Sequence, residues 1–179
     1  VIVTLVLSSC SGALVGIAMM SRAKDGLRYA LPFGTFLSLG ALDEARSQHP
    51  EIEDWIVGGH SLGGTVAALE ADETAAPGAA PVIGLLLFAS YPAGDMSEAE
   101  IAVLSISGSE DGLATPAKIE ASRAELPPGS EFVVIDGASH AQFGAYGSQS
   151  GDGVASIGAE VAREQIATAS LAFAESLAR

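Results

Sequence analysis

Residues 55–64 of the chain read WIVGGHSLGG, an apolar run that ends in a glycine-rich turn around Ser61. The residues that follow favour a helix, so the pattern predicts a strand, a tight turn and a helix with the serine at the turn. Such a turn is strained, and we expect Gly59 and Gly63 to leave room for the backbone to double back. We interpret the segment as a nucleophile elbow, in which the Leu62 N–H supplies half of an oxyanion hole.

Composition limits the classes of partner. The chain has 179 residues, 49% of them hydrophobic, which fits a single domain over residues 1–179 with its N-terminal part shortened or truncated. A formal net charge of −14 argues against nucleic acid as a partner. Because the only cysteine is Cys10 and the three histidines lie far apart, we expect no disulfide, no metal site and no cofactor.

The first 20 residues carry no charged side chain, and four interpretations compete. Small polar residues over Ser8–Gly12 argue against a membrane helix, and the lack of a basic segment argues against a signal peptide. The apolar stretch before Cys10 is short for a lipoprotein signal. We favour a buried strand over Val1–Leu7 and expect the natural N-terminus to lie upstream. A cytoplasmic, exported or membrane-anchored location therefore stays open.

The remaining pattern alternates between apolar runs and helical segments, which is typical of an α/β fold with a mostly parallel sheet covered on both faces. About six strands are predicted, at Val1–Leu7, Leu27–Leu31, Trp55–Gly58, Val82–Phe88, Ala102–Ser107 and Glu131–Ile135. Helices are predicted over Ala13–Ala23, over Phe36–His49, after Ser61, from Thr115 to about Leu126, and over Ala159–Ala178. The last helix places five apolar residues on one face: Ala162, Ile166, Ala169, Phe173 and Leu177.

A serine hydroxyl becomes a good nucleophile when a base takes its proton and an acid orients that base. His49 precedes Pro50 at a helix end, and His60 occupies the elbow position whose side chain is not presented, so a structural role explains both better. His140 directly follows the last predicted strand, at the carboxyl edge of the sheet where Ser61 also emerges. His140 is therefore the predicted base.

Four aspartates lie between the serine and this histidine in the sequence. Asp111 is the preferred acid because it follows a predicted strand at the carboxyl edge, and Asp95, in the loop after the preceding strand, is the alternative. Asp72 lies on a helix that leads away from that edge. Asp136 is expected to cap its own strand end, close to His140.

Six segments together suggest a known family. They are LPF at 31–33, HPEI at 49–52, GGHSLGG at 58–64, ASYP at 89–92, SGSEDG at 107–112 and HAQFGAYGSQSGDG at 140–153. In these the chain resembles small bacterial α/β-hydrolases of the alpha/beta hydrolase fold-5 group, and the long last segment makes the resemblance specific. It implies a serine hydrolase with a triad of Ser61, Asp111 and His140, acting on carboxylic esters.

The resemblance weakens before residue 31. Family members have a loop of Pro-Gly-Gly type after the first core strand, whereas here residues 9–15 read SCSGALV and the loop is shorter. By position, the Ala13 N–H is the expected second oxyanion donor beside the Leu62 N–H.

The segment Ala89–Ile101 between two predicted strands is too short for a helical lid, so an open pocket is expected. Tyr91, Phe143 and Tyr146 would line it, although core packing explains Tyr91 and Phe143 equally well. An open pocket suits a small-molecule ester with a short acyl group. Two alternatives to ester hydrolysis remain, an acyltransferase with the same intermediate and a catalytically weak binding module.

The loop that follows the predicted base contains two further polar residues, Gln149 and Asp152. We expect both to hold that loop in place by hydrogen bonds without touching substrate.

Overall fold

The structure is a computed structural model, and it describes residues 42–72, 80–144 and 147–178. The described residues fall into two compact units: the first contains residues 42–53 and residue 80, and the second contains residues 54–72, 81–144 and 147–178. In the first unit a helix covers residues 42–48, which confirms the end of the helix predicted up to His49. The exposed His49 Nδ1 lies 3.1 Å from Glu51 Oε1. The strands and the helix predicted before residue 32 lie outside the described residues.

In the second unit the described residues form a parallel sheet of four strands, which lie side by side in chain order. The strands are β1 (Trp55–His60), β2 (Val82–Phe88), β3 (Ala102–Gly108) and β4 (Glu131–Ile135). Each is a strand that the sequence predicts. Because neighbouring strands are parallel, all four carboxyl ends meet at one edge, where the candidate side chains follow.

Three α-helices accompany this sheet: α1 (Leu62–Asp72), α2 (Pro116–Ala121) and α3 (Ala159–Leu177). The predicted start of α2 is confirmed, since the Thr115 side chain accepts a hydrogen bond from the Lys118 N–H and Pro116 is the first helical residue. The final turn of this predicted helix is a 3-10 helix, Ser122–Glu125.

Apolar side chains pack on both faces of the sheet, because alternate residues of a strand point to opposite faces. On one face Leu85 and Leu87 of β2 form a cluster with α1 residues such as Ala68. On the other face Leu86 and Phe88 join a cluster built on α3. All five α3 residues predicted to share a face belong to that second cluster, which confirms the predicted packing of the terminal helix.

The connection from β2 to β3, residues 89–101, contains turns and bends but no helix. The edge that carries the candidate site is therefore not covered by a helix from this connection. Within the described ranges, no helix combines the length and the apolar character needed to cross a membrane.

Candidate active site

Ser61 lies at the turn between β1 and α1 with a backbone φ of +53°, a conformation that non-glycine residues rarely adopt. The preceding turn depends on Gly59, because a Cβ there would overlap the backbone carbonyl of Gly63. Backbone strain of this kind costs about 1–3 kcal/mol and is concentrated at functional sites. The strand, strained turn and helix that the sequence predicts around Ser61 are present.

The steric role predicted for Gly63 has no support among the described residues. Apart from its chain neighbours and the backbone of its own helix, no described atom lies within 4 Å of a Cβ built on Gly63, whereas one built on Gly64 would overlap the Gly59 carbonyl and lie 2.6 Å from Ser90 Oγ. The rotation of α1 about its axis explains the difference, since it turns Gly64 towards the strand and Gly63 away from it.

Hydrogen bonds from the end of β2 support the elbow. Ser90, which is buried, donates from Oγ to the Ser61 carbonyl at 2.6 Å, and Thr65 Oγ1 donates to the Tyr91 carbonyl at 2.9 Å. The Ser61 N–H donates to the Phe88 carbonyl at 3.0 Å. Sequence reasoning did not predict that Ser90 and Thr65 support the elbow. The signal for Ser90 is its position directly after the strand that neighbours the elbow strand.

His140 and Asp111 form a buried pair, 2% and 3% exposed, with 2.8 Å between His140 Nδ1 and Asp111 Oδ2. Asp111 Oδ1 accepts from the backbone N–H groups of Leu113 at 2.8 Å and Ala114 at 2.7 Å, which orient the carboxylate. Because an ionised carboxylate only accepts, the His140 Nδ1–H donates, and Nε2 is left as the basic nitrogen.

The other two aspartates at this edge of the sheet have partners elsewhere. Asp95 is exposed and accepts from the Ser97 N–H at 2.9 Å, and hydrogen bonds from the backbone and then the side chain of Ser97 lower its pKa. Asp136 accepts from Ser109 Oγ at 3.1 Å. The structure therefore brings Asp111, and not the alternative Asp95, to the predicted base.

His60 lies beside the predicted base, with its ring centroid 4.5 Å from that of His140 and the two rings tilted by 45°. Its other neighbour is Phe143, whose ring is nearly parallel at 6.3 Å. Burial lowers the pKa of His60, and the charge that His140 carries when protonated lowers it further. Because its lowered pKa keeps His60 neutral at neutral pH, the contact between the two rings adds no positive charge that would oppose the protonation of His140.

Asp152 accepts four backbone hydrogen bonds. Oδ1 accepts from His140 at 3.0 Å, Gly112 at 3.2 Å and Gly153 at 2.8 Å, and Oδ2 accepts from Ala141 at 2.9 Å. Partial desolvation alone would raise the pKa of Asp152, but these four donors outweigh it and lower the pKa to about 2. The carboxylate is therefore ionised at neutral pH and lies where the sequence predicts a loop-holding residue.

Two glutamines have separate parts in the same loop. Gln149 contributes its backbone carbonyl, which accepts from the Asp152 N–H at 3.2 Å. Gln142 closes a capping box with Ser139 and donates from Nε2 to the Ile157 carbonyl at 2.7 Å. Sequence reasoning missed Gln142, although the Ser-x-x-Gln spacing is a signal for such a box.

A cavity of about 250 Å³ opens between Ser61 and His140. Apolar groups form much of its remaining lining, including Leu62, Tyr91 and Leu113. The two described non-glycine residues with positive φ, Ser61 and Ala89, both line this cavity, so backbone strain coincides with the candidate site.

The other predicted pocket and oxyanion residues differ in placement. Phe143 is not among the described residues that line this cavity; it lines a separate groove of about 940 Å³ beside α3. Tyr146 and Ala13 lie outside the described residues. The N–H of Leu62, the first residue of α1, makes no hydrogen bond to another described residue and stays a predicted oxyanion donor. No metal-binding group of three or more His, Cys, Asp or Glu side chains occurs in the described part of the chain.

The profile of the alpha/beta hydrolase family matches residues 30–164. This match covers most of the chain, and it agrees with the parallel sheet, the strained serine turn and the order of the candidate residues. The chain belongs to the alpha/beta hydrolase family.

Solved structures show the same fold at low sequence identity. A putative alpha/beta hydrolase from Agrobacterium tumefaciens is 22% identical, with a TM-score of 0.51, over 59% of this chain and 50% of that one. The propionate-bound esterase Est2 from Thermogutta terrifontis is 16% identical, with a TM-score of 0.54, over 82% and 65%. A dienelactone hydrolase-like promiscuous phosphotriesterase from metagenomic libraries is 18% identical, with a TM-score of 0.58, over 88% and 66%.

The chain thus spans half to two thirds of the length of these structures. No curated protein matches the sequence.

Proposed function

We propose that this chain is a serine hydrolase that cleaves carboxylic esters through an acyl-Ser61 intermediate. The observation that carries the proposal is the buried pair of Asp111 and His140, whose histidine lines the same cavity as the strained serine. A buried carboxylate that orients a histidine next to a serine is the arrangement that activates a hydroxyl for acyl transfer.

The reaction proceeds in two halves. In the first, His140 Nε2 takes the Ser61 hydroxyl proton as Oγ bonds to the ester carbonyl carbon, and the Leu62 N–H stabilises the oxyanion. The C–O bond to the alcohol then breaks, and the alcohol leaves with the proton from Nε2. In the second half, Nε2 takes a proton from water, the hydroxide attacks the acyl carbon, and the acid departs as Ser61 regains its proton. Asp111 holds the imidazole in the required tautomer throughout.

The size and lining of the cavity favour a short acyl group. Its volume of about 250 Å³ lies just below the range of about 300–1,000 Å³ that is usual for ligand sites, and much of its lining is apolar. We therefore propose acetyl to butyryl esters as substrates.

Turnover of chromogenic acetyl, butyryl and octanoyl esters tests the proposal. We expect hydrolysis of the two shorter esters by the natural chain and none by Ser61→Ala, since the variant lacks the nucleophile. Retention of most of the activity in Ser61→Ala would contradict the acyl-serine route. An added alcohol or thiol acceptor separates transfer from hydrolysis, because a transferase would convert most of the acyl group into a new ester or thioester.

A chelator gives a second check on the chemistry. We expect EDTA to leave ester turnover unchanged, because every step proposed above uses side chains and backbone N–H groups. Inhibition by EDTA that added zinc or calcium reverses would contradict this mechanism.

A further inference from the structure

One carboxylate touches both loops that carry the proposed acid and base. Asp152 Oδ1 accepts from the N–H of Gly112, the residue directly after Asp111, and from the N–H of His140 itself. The two proposed partners are 29 residues apart in the chain. A single oxygen atom therefore connects the backbone on either side of the Asp111–His140 hydrogen bond.

The loops also meet through close backbone contacts that side chains would block. A Cβ on Gly112 would overlap the Gly151 carbonyl, and one on Gly153 would overlap the Glu110 carbonyl. The segment around Asp152 therefore packs directly on the segment around Asp111. Small displacements of one loop pass to the other, because no flexible side chain lies between them.

The arrangement requires a carboxylate. Both oxygens of Asp152 accept from backbone N–H groups, and a carboxylate has no donor that would oppose them. An asparagine at this position would turn an NH₂ donor towards one of those N–H groups. The isosteric change thus removes at least one hydrogen bond while the size of the side chain stays the same.

From these contacts we infer that Asp152 is a positioning residue, which holds the loops of Asp111 and His140 at the separation that their hydrogen bond requires. This inference rests on the proposed function. Asp152 is not among the described residues that line the cavity at Ser61, so its effect on the reaction passes through the acid and the base.

The test compares Asp152→Asn with the matched control Asp95→Asn, another aspartate that accepts a backbone N–H but lies in the loop between β2 and β3. We expect kcat per folded molecule to fall by about 10²-fold in Asp152→Asn, the order of loss that a small misplacement of a catalytic group causes. KM should stay unchanged. The control should match the natural chain in both constants.

A spectroscopic measurement reports the positioning itself. In the natural chain we expect a low-field proton resonance from His140 Nδ1–H, which Asp111→Asn shifts or removes. In Asp152→Asn this resonance should move to higher field or broaden, while the dispersion of the remaining amide resonances persists. Asp152→Glu keeps the charge but displaces the oxygens, and it should behave like Asp152→Asn.

Each result has a distinct meaning. An unchanged resonance and kcat in Asp152→Asn, with an active natural chain, would overturn the positioning role alone. Unfolding of both Asp152 variants would also overturn it, since it would make Asp152 a residue of global stability. If the natural chain itself neither hydrolyses esters nor shows the low-field resonance, the proposed function fails instead.

Discussion

The nucleophile and the base have different main constraints, although hydrogen bonds also support the elbow and close glycine contacts also support the loop of the base. At the elbow, Ser61 is confined by excluded volume, because the turn is closed by contacts in which Gly59 and Gly64 leave no space for a side chain. At the loop of the base, His140 is held by hydrogen bonds to the carboxylates of Asp111 and Asp152. An added side chain that overlaps the backbone forces the whole turn to move, whereas hydrogen bonds can be lost one at a time.

The difference predicts two patterns of response to mutation. Substitutions of Gly59 or Gly64 should act on folding, since a backbone overlap must displace the whole turn. Substitutions at the acid and base should act on the rate while the fold survives. The following predictions test this contrast in order of decreasing effect.

Asp111→Asn should cause the largest loss. The amide removes the charge that stabilises protonated His140 and favours the wrong imidazole tautomer, and the corresponding change in serine proteases lowers kcat by about 10⁴-fold. Steady-state ester kinetics measure the loss, and thermal unfolding checks that the fold persists. Asp95→Asn is the control, and a larger effect of Asp95→Asn would show that the acid is assigned wrongly.

Gly59→Ala should destabilise the chain by about 3 kcal/mol or more, because the added Cβ meets backbone that cannot move aside as a flexible side chain would. Gly63→Ala is the matched control from the same turn. It should be neutral or stabilising by up to about 1 kcal/mol, since alanine favours a helix more than glycine does. Denaturant unfolding compares the two variants, and equal losses would contradict the assignment of the steric requirement to Gly59.

Much of this arrangement could be predicted from local pattern. The four described strands are apolar runs, and the rule that parallel strands end at one edge predicted His140 as the base and left Asp111 as the preferred acid, with Asp95 as the alternative. Which of Gly63 and Gly64 faces the strand depends on the rotation of α1 about its axis, and the periodicity of the sequence does not specify that rotation. The position of Ser90 directly after β2 is visible in the sequence, but its hydrogen-bond partner depends on how separate loops meet in space.

Ser90→Ala should have an intermediate effect, because it removes a single hydrogen bond to the Ser61 carbonyl. We expect a loss of stability of about 1 kcal/mol, the usual net value of such a bond. The matched control is Ser130→Ala, which removes a similar bond to a carbonyl outside the elbow. If the kcat of Ser90→Ala falls more than its loss of stability explains, the position of Ser61 depends on this hydrogen bond as much as on excluded volume.

The smallest effect concerns pH. The folded-state pKa of His60 lies below its ordinary value of 6.5, so the unfolded chain binds a proton first as the pH falls. The contribution of His60 to the free energy of unfolding is therefore lost from about pH 6.5 downwards. The contribution of Asp152 to the same free energy is complete above about pH 4 and is lost as the pH falls towards about 2. The fall in Tm between pH 7.5 and pH 5.5 should be smaller in His60→Phe. An equal fall would show that His60 does not titrate differently in the folded state.

Covalent labelling tests the central claim most directly. The natural chain and Ser61→Ala are treated with a fluorophosphonate, and the modified peptide is located by mass spectrometry. We predict a single adduct on Ser61, absent in Ser61→Ala and formed much more slowly in Asp111→Asn. An unlabelled natural chain, or an adduct on another serine that persists in Ser61→Ala, would contradict the account.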